Sequence, residues 1–167
     1  MSASVIALVV PDKALLPPLT PAEIDAIVEI AYLTIAADRR LEEEEIGAFR
    51  AVVERLRGAP IPDGALDRVL DEMYARAERA REDGRSGLAD NERSRYADER
   101  LRLLASKMTT PARELAYRVA YAMGIADMES SDEEFEFDLQ LVDALELSND
   151  RTEELAAEVM DVLNPPE

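Results

Sequence analysis

The stretch Thr20-Pro21-Ala22-Glu23-Ile24-Asp25-Ala26-Ile27-Val28-Glu29-Ile30-Ala31-Tyr32-Leu33-Thr34-Ile35-Ala36-Ala37-Asp38 decides the fold class. Threonine is a good helix N-cap and proline fits the first helical position. Glu23, three residues after the cap, closes a capping box. Beyond the box Ile24, Ile27, Val28, Ala31 and Ile35 recur at helical spacing and mark one apolar face. The stretch predicts a helix running to about residue 37, followed by an acidic loop.

The same punctuation continues downstream. After Asp38-Arg39-Arg40-Leu41, a second helix is expected with Ile46, Phe49, Val53 and Leu56 on one face, stopped by Gly58-Ala59-Pro60-Ile61-Pro62. Asp63 is expected to cap a third, whose stripe is Leu66, Val69, Leu70, Met73, Ala77 and Ala80 and which Gly84–Gly87 breaks. A fourth carries Ala97, Leu101, Leu104 and Met108, and Thr109-Thr110-Pro111 resets the pattern. The fifth shows Leu115, Val119, Met123 and Ala126; the sixth Phe135, Leu139, Val142 and Leu145; the seventh Leu155, Val159 and Val162, before Asn164-Pro165-Pro166. Upstream, Pro11, Pro17 and Pro18 make residues 1–19 an extended arm whose apolar residues lie against the helices. The expectation is all-α: seven helices in one domain over 20–167, with the arm in front.

Composition agrees. Apolar residues make up 47% of the 167-residue chain but aromatics only 5%, so Ala, Leu, Ile and Val must form the core. The formal net charge is −18, which disfavours nucleic acid and insertion into anionic membranes and favours cations and basic partners. From Asp127 onward there are 15 acidic residues against Arg151 alone, whereas Ala75–Arg118 has 11 basic against 8 acidic. This is either a set of solvated helix faces or a dipolar surface. With no Cys and no His, disulfides, thiol nucleophiles, zinc sites and imidazole catalysis are excluded. Val5–Val10 lacks the anatomy of a signal peptide, so a cytoplasmic location is the expectation.

The chain also repeats itself. Thr20-Pro21 matches Thr110-Pro111 at a spacing of 90, while Tyr32, Asp38 and Glu45 match Tyr121, Asp127 and Glu134 at 89. Two helix–loop–helix units are expected, one over 20–57 and one over 110–163, joined by connecting helices over 63–108. Residues 21–57 are expected to superpose on 111–146. Several acidic positions have a purely structural reading. Ser131 with Glu134 forms a second capping box, and Glu42–Glu45 occupy a first turn, where the helix dipole favours negative charge. Asp38 and Asp127 follow helix ends, where the dipole disfavours a carboxylate and a hard cation such as calcium or magnesium is the natural compensation.

At these loops the sequence resembles the tellurite-resistance TerB family, whose hallmark is Ala-Ala-Asp-Gly with an aliphatic residue three positions after the Asp and Glu seven after it. The first copy here reads Ala36-Ala37-Asp38-Arg39-Arg40-Leu41-Glu42-Glu43-Glu44-Glu45. The second reads Ile125-Ala126-Asp127-Met128-Glu129-Ser130-Ser131-Asp132-Glu133-Glu134. Arg39 and Met128 stand where the family has Gly, and Ser130 where it has an aliphatic residue. The resemblance spans about residues 21–163 and extends to Asp143–Asp150. It implies an all-helical, non-enzymatic stress-response protein that binds a divalent cation through Asp38, Glu44, Glu45, Asp127, Glu133 and Glu134. It also implies protein partners, including other tellurite-resistance proteins at the inner membrane face. The alternative is a metal-free helical scaffold that self-associates or binds a basic partner. No nucleophile motif, phosphate-cradling loop or cofactor fingerprint points to an enzyme.

Overall fold

The computed structural model describes residues 9–10, 16–36, 43–83, 90–125 and 132–163; within these, only the backbone is described at 36, 77, 79–83, 90–97, 124–125, 132–136 and 163. The described residues form seven α-helices and no strand: α1 (Pro21–Ala36), α2 (Glu43–Arg57), α3 (Asp63–Asp83), α4 (Asp90–Ala105), α5 (Thr110–Ile125), α6 (Asp132–Leu145) and α7 (Asn149–Leu163). The fold is all-α, as the periodicity requires. Helices α1 and α5 are the central pair and pack on each other most extensively. Around α1 lie α2, α3 and α4; around α5 lie α6 and α7; and α4 packs along α6 to join the two groups. One contiguous cluster of buried residues draws on every helix, with Phe49, Ile27, Ile30, Leu101, Leu141 and Leu155 among its most enclosed side chains. Val9 and Val10 of the arm are buried in it.

The start of α1 is built as its sequence dictates. The Thr20 amide donates to Glu23 Oε1 (3.0 Å) and the Glu23 amide donates to Thr20 Oγ1 (3.1 Å), both halves of the capping box. The other oxygen of Glu23 does something the local sequence does not announce. It accepts from the backbone amide (2.9 Å) and the hydroxyl (2.8 Å) of Thr109, the residue that precedes α5. One carboxylate, 2% exposed, therefore caps both central helices. The Thr20 amide, then Thr109, holds its carboxyl below the ordinary glutamate value against the opposing effect of burial.

Arg113 is the cationic counterpart. Its guanidinium donates to the carbonyls of Met108 (3.2 Å), Ala105 (3.0 Å) and Leu145 (3.2 Å), gathering the C-terminal ends of α4 and α6. Glu29, buried in α1, is held by Arg100 of α4 through Nη2 (2.6 Å) and Nε, and by Arg76 of α3 (3.1 Å). Arg76 also reaches Asp25 and Glu72. These pairs fix the three helices in register.

Three expectations need correction. Thr109, not Thr110, stands where Thr20 stands: Thr20 O accepts from the Ile24 amide and Thr109 O from the Arg113 amide, so both helices start 89 residues apart, not 90. At that spacing the buried Ala26, Ile27, Val28, Ile30 and Ala31 correspond to the buried Leu115, Ala116, Tyr117, Val119 and Ala120. Second, Asp63 does not cap α3. The Pro62 carbonyl accepts the first helical bond, and Asp63 sits inside the first turn with its carboxylate on Arg50 (2.6 Å). Third, of the stripe expected on α6 Leu145 is buried and Val142 half-buried, but Leu139 is 55% exposed and Phe137, Leu141 and Ala144 are buried instead; the side chain of Phe135 lies outside those described. Phe135, Phe137, Leu139 and Leu141 alternate with polar residues, so two helical stripes fit the segment equally and packing against α4 selects one.

Candidate functional site

The acidic loops come first because the repeat points at them. Glu44 and Glu45 lie in the first turn of α2, Glu44 exposed and Glu45 half-buried. Glu133 and Glu134 lie in the first turn of α6, where only the backbone is described. Negative charge at both places is favoured by the N-terminal end of the helix dipole. Asp38, Asp127 and the Ser131 cap lie outside the described residues. Among the described residues no group of three or more carboxylates lies close enough to hold a metal ion.

Helix α6 carries a second acidic feature, to which no sequence motif points. Asp138 on α6 is a half-buried carboxylate facing Tyr117 and Tyr121 of α5, and no described cation pairs with it. Burial raises its carboxyl above the ordinary aspartate value. The two tyrosines stack with ring centroids 5.8 Å apart and planes 24° apart. Burial first, then the charges of Asp138 and Tyr121, push the Tyr117 hydroxyl up to about 12. The signal that finds Asp138 is the 89-residue register, in which it takes the place of the fully buried Phe49.

A cleft of about 390 Å³ opens between α5, α7 and the arm. Val9, Leu16, Pro17, Leu115, Val159 and Val162 supply its apolar wall, and Glu114, Arg118 and Glu158 its charged part. The charges are paired with each other or with a neighbour. Arg118 binds Glu158 (2.7 Å), and Arg151 binds Glu114 (2.7 Å) and Glu154 (2.8 Å). Arg151 first, against burial, lowers the Glu114 carboxyl. Periodicity placed Leu115, Val159 and Val162 on core faces; it did not show that Val162 would be left 37% exposed at the edge of a cleft.

These arrangements offer carboxylates, a tyrosine pair and an apolar cleft, a set suited to binding. Among the described residues no helix is long and apolar enough to cross a membrane. Comparison with protein-family models, curated proteins and solved structures finds no match to this chain.

Proposed function

We propose that this chain is a TerB-like, non-enzymatic stress-response protein of the cytoplasm that couples divalent-cation binding at two acidic loops to docking of protein partners. The partners expected from the resemblance are other tellurite-resistance proteins at the inner membrane face. The observation that carries the reading is the common 89-residue spacing of Asp38 and Glu45 with Asp127 and Glu134. The helix starts after Thr20 and Thr109 share that spacing, which supports treating the two loops as equivalents. The ligands are Asp38, Glu44, Glu45, Asp127, Glu133 and Glu134, and the ion is calcium or magnesium, whose preference is for oxygen donors.

The test is calorimetric titration with calcium and magnesium at moderate salt, alongside melting at matched ionic strength. An ion bound only by the folded form stabilises it by about 2.7 kcal/mol at a hundredfold excess over its Kd. Divalent ions should raise Tm beyond sodium chloride, and Asp127→Asn with Glu134→Gln should remove the excess. Equal effects of divalent ion and sodium chloride would sink the cation half of the proposal.

A second reading is a metal-free module that docks a basic partner or a second copy. It is favoured by the exposed apolar side chains Leu139, Met160 and Val162, set among the acidic residues of α6 and α7. Here the cation adds nothing and the surface does the binding.

A further inference from the structure

We infer that the cleft between α5, α7 and the arm is the docking site for a basic, amphipathic segment of a partner protein. One aliphatic or aromatic side chain would seat against Val159 and Val162, and Lys or Arg residues would lie along α7. The assignment deepens the docking half of the proposed function and does not depend on a bound cation.

Two observations carry it. The first is shape and chemistry. A cleft of about 390 Å³, with an aliphatic and prolyl wall, has room for one large side chain and offers it mostly apolar contact. Val162, at its edge, is more than a third exposed. The second is charge. Helix α7 holds Asp150, Glu153, Glu154, Glu158 and Asp161 against Arg151 alone. The two arginines that pair with its carboxylates or lie on it are committed, Arg151 to Glu114 and Glu154, and Arg118 to Glu158. Asp150, Glu153 and Asp161 are left with no described cation partner, and all three are exposed. Of these Asp161 adjoins Val162 at the cleft edge, and a partner presenting Lys or Arg meets its unneutralised carboxylate there, with Asp150 further along α7. An acidic partner, a phosphate backbone or an anionic bilayer is repelled. A second copy of this chain brings the same charge and is disfavoured for the same reason.

The experiment uses the full chain in EDTA and fluorescein-labelled peptides of about 18 residues, read by anisotropy. One peptide is an amphipathic Leu/Lys helix, one has the same composition scrambled, one is all Lys, and one is Leu/Glu. The amphipathic Leu/Lys peptide should bind most tightly. Val162→Trp, which fills the cleft from an exposed position, should weaken it about tenfold with little change in Tm. Asp161→Asn with Asp150→Asn should weaken it and flatten its salt dependence. Asp71→Asn, exposed on α3 and away from the cleft, should leave it unchanged, and Asp127→Asn with Glu134→Gln is run beside it to tell the loops from the cleft.

Equal binding of the scrambled or all-Lys peptide, or indifference to Val162→Trp, means attraction by charge alone and overturns the cleft. Loss in the loop variant but not in Val162→Trp moves docking to the acidic loops, which rejects the cleft and spares the proposed function. No binding by any peptide overturns the inference. So does a concentration-dependent dimer in sedimentation that Val162→Trp abolishes, because the occupant is then a second copy.

Discussion

Helices α1 and α2 pack as one successive pair, the first hairpin, and α5 and α6 as another, the second; compared position by position at a spacing of 89 they share many buried places and differ at several that bear on stability. In the first, Tyr32 meets Phe49 edge-on at 6.4 Å, and Phe49 is fully enclosed. In the second, Tyr121 and Asp138 occupy those places, and the carboxylate is half-buried without a described cation. Glu23 of the first corresponds to Ala112 of the second, so the second hairpin's cap is supplied by the first. Glu29 corresponds to Arg118; the former is buried between two arginines, and the latter is paired at the surface. Even the helix ends differ. Gly58 takes positive φ (74°) after α2 at no steric cost, while Glu146 does so (55°) after α6 with a side chain attached. The first hairpin is built for anchorage. The second has a half-buried carboxylate where the first has a buried ring, borrows its cap from the first, and ends α6 on a non-glycine residue at positive φ.

The contrast is sharpest at the Glu29 and Arg118 positions. Replacing Arg100 with Met leaves the buried Glu29 with Arg76 alone and should cost about 3 kcal/mol in chemical denaturation. Arg118→Ala breaks a half-exposed pair and should cost under about 1 kcal/mol. Equal losses would mean the hairpins share the load evenly, against the picture above.

Glu23→Ala should follow at about 2–3 kcal/mol, because two N-cap amides and the Thr109 hydroxyl lose their acceptor together. Its pH dependence has a definite sign. The folded carboxyl titrates below its ordinary 4.5, so its stabilisation is complete above that pH and is lost as pH falls through the folded value. The gap between wild type and Glu23→Ala should close on acidification.

Asp138 should behave in the opposite way and more weakly. Its folded carboxyl titrates above its ordinary 3.8, so ionisation is penalised in the folded state and stability falls as pH rises through that interval. Asp138→Asn should stabilise the protein by about 1 kcal/mol at neutral pH. The gain should vanish near pH 3, below both values. A destabilising Asp138→Asn would show that the carboxylate has a native counter-charge and that the two hairpins are less unlike than described.

Much of this could be read from the sequence where the physics is local. The capping box at Thr20 and Glu23, the helical stripe of α1 and the stop at Gly58 each rest on residues a few positions apart, and each is present. The second half of Glu23's role was not legible, because Thr109 is 86 residues away and nothing near Glu23 signals it. On α6 the expected face holds at Val142 and Leu145 and fails at Leu139, because alternating Phe and Leu fit two helical stripes and only the neighbour α4 chooses between them. Asp138 could be matched to Phe49 at the spacing of 89 that Glu45 and Glu134 share, but a carboxylate on an acidic helix carries no local mark of burial, which comes only from packing against α5. For the candidate site, the sequence put Glu44, Glu45, Glu133 and Glu134 in first turns, where the helices have them. Asp38 and Asp127, on which the cation reading turns, lie outside the described residues. The cleft had no sequence signal, since it forms where three remote segments meet.

The shared carboxylate of Glu23 also bears on how the chain reaches its native form. During synthesis α1 emerges long before α5, and its own cap can close at once on a loop of three residues. The start of α5 has to wait for a chain closure of 86 residues, whose entropy must be met before the contact returns anything. A fragment beginning at Thr110 would carry every residue of the second hairpin and still lack both the threonine that opens it and the acid that satisfies that threonine. The second hairpin is in this sense not a portable module: its beginning is written in the first.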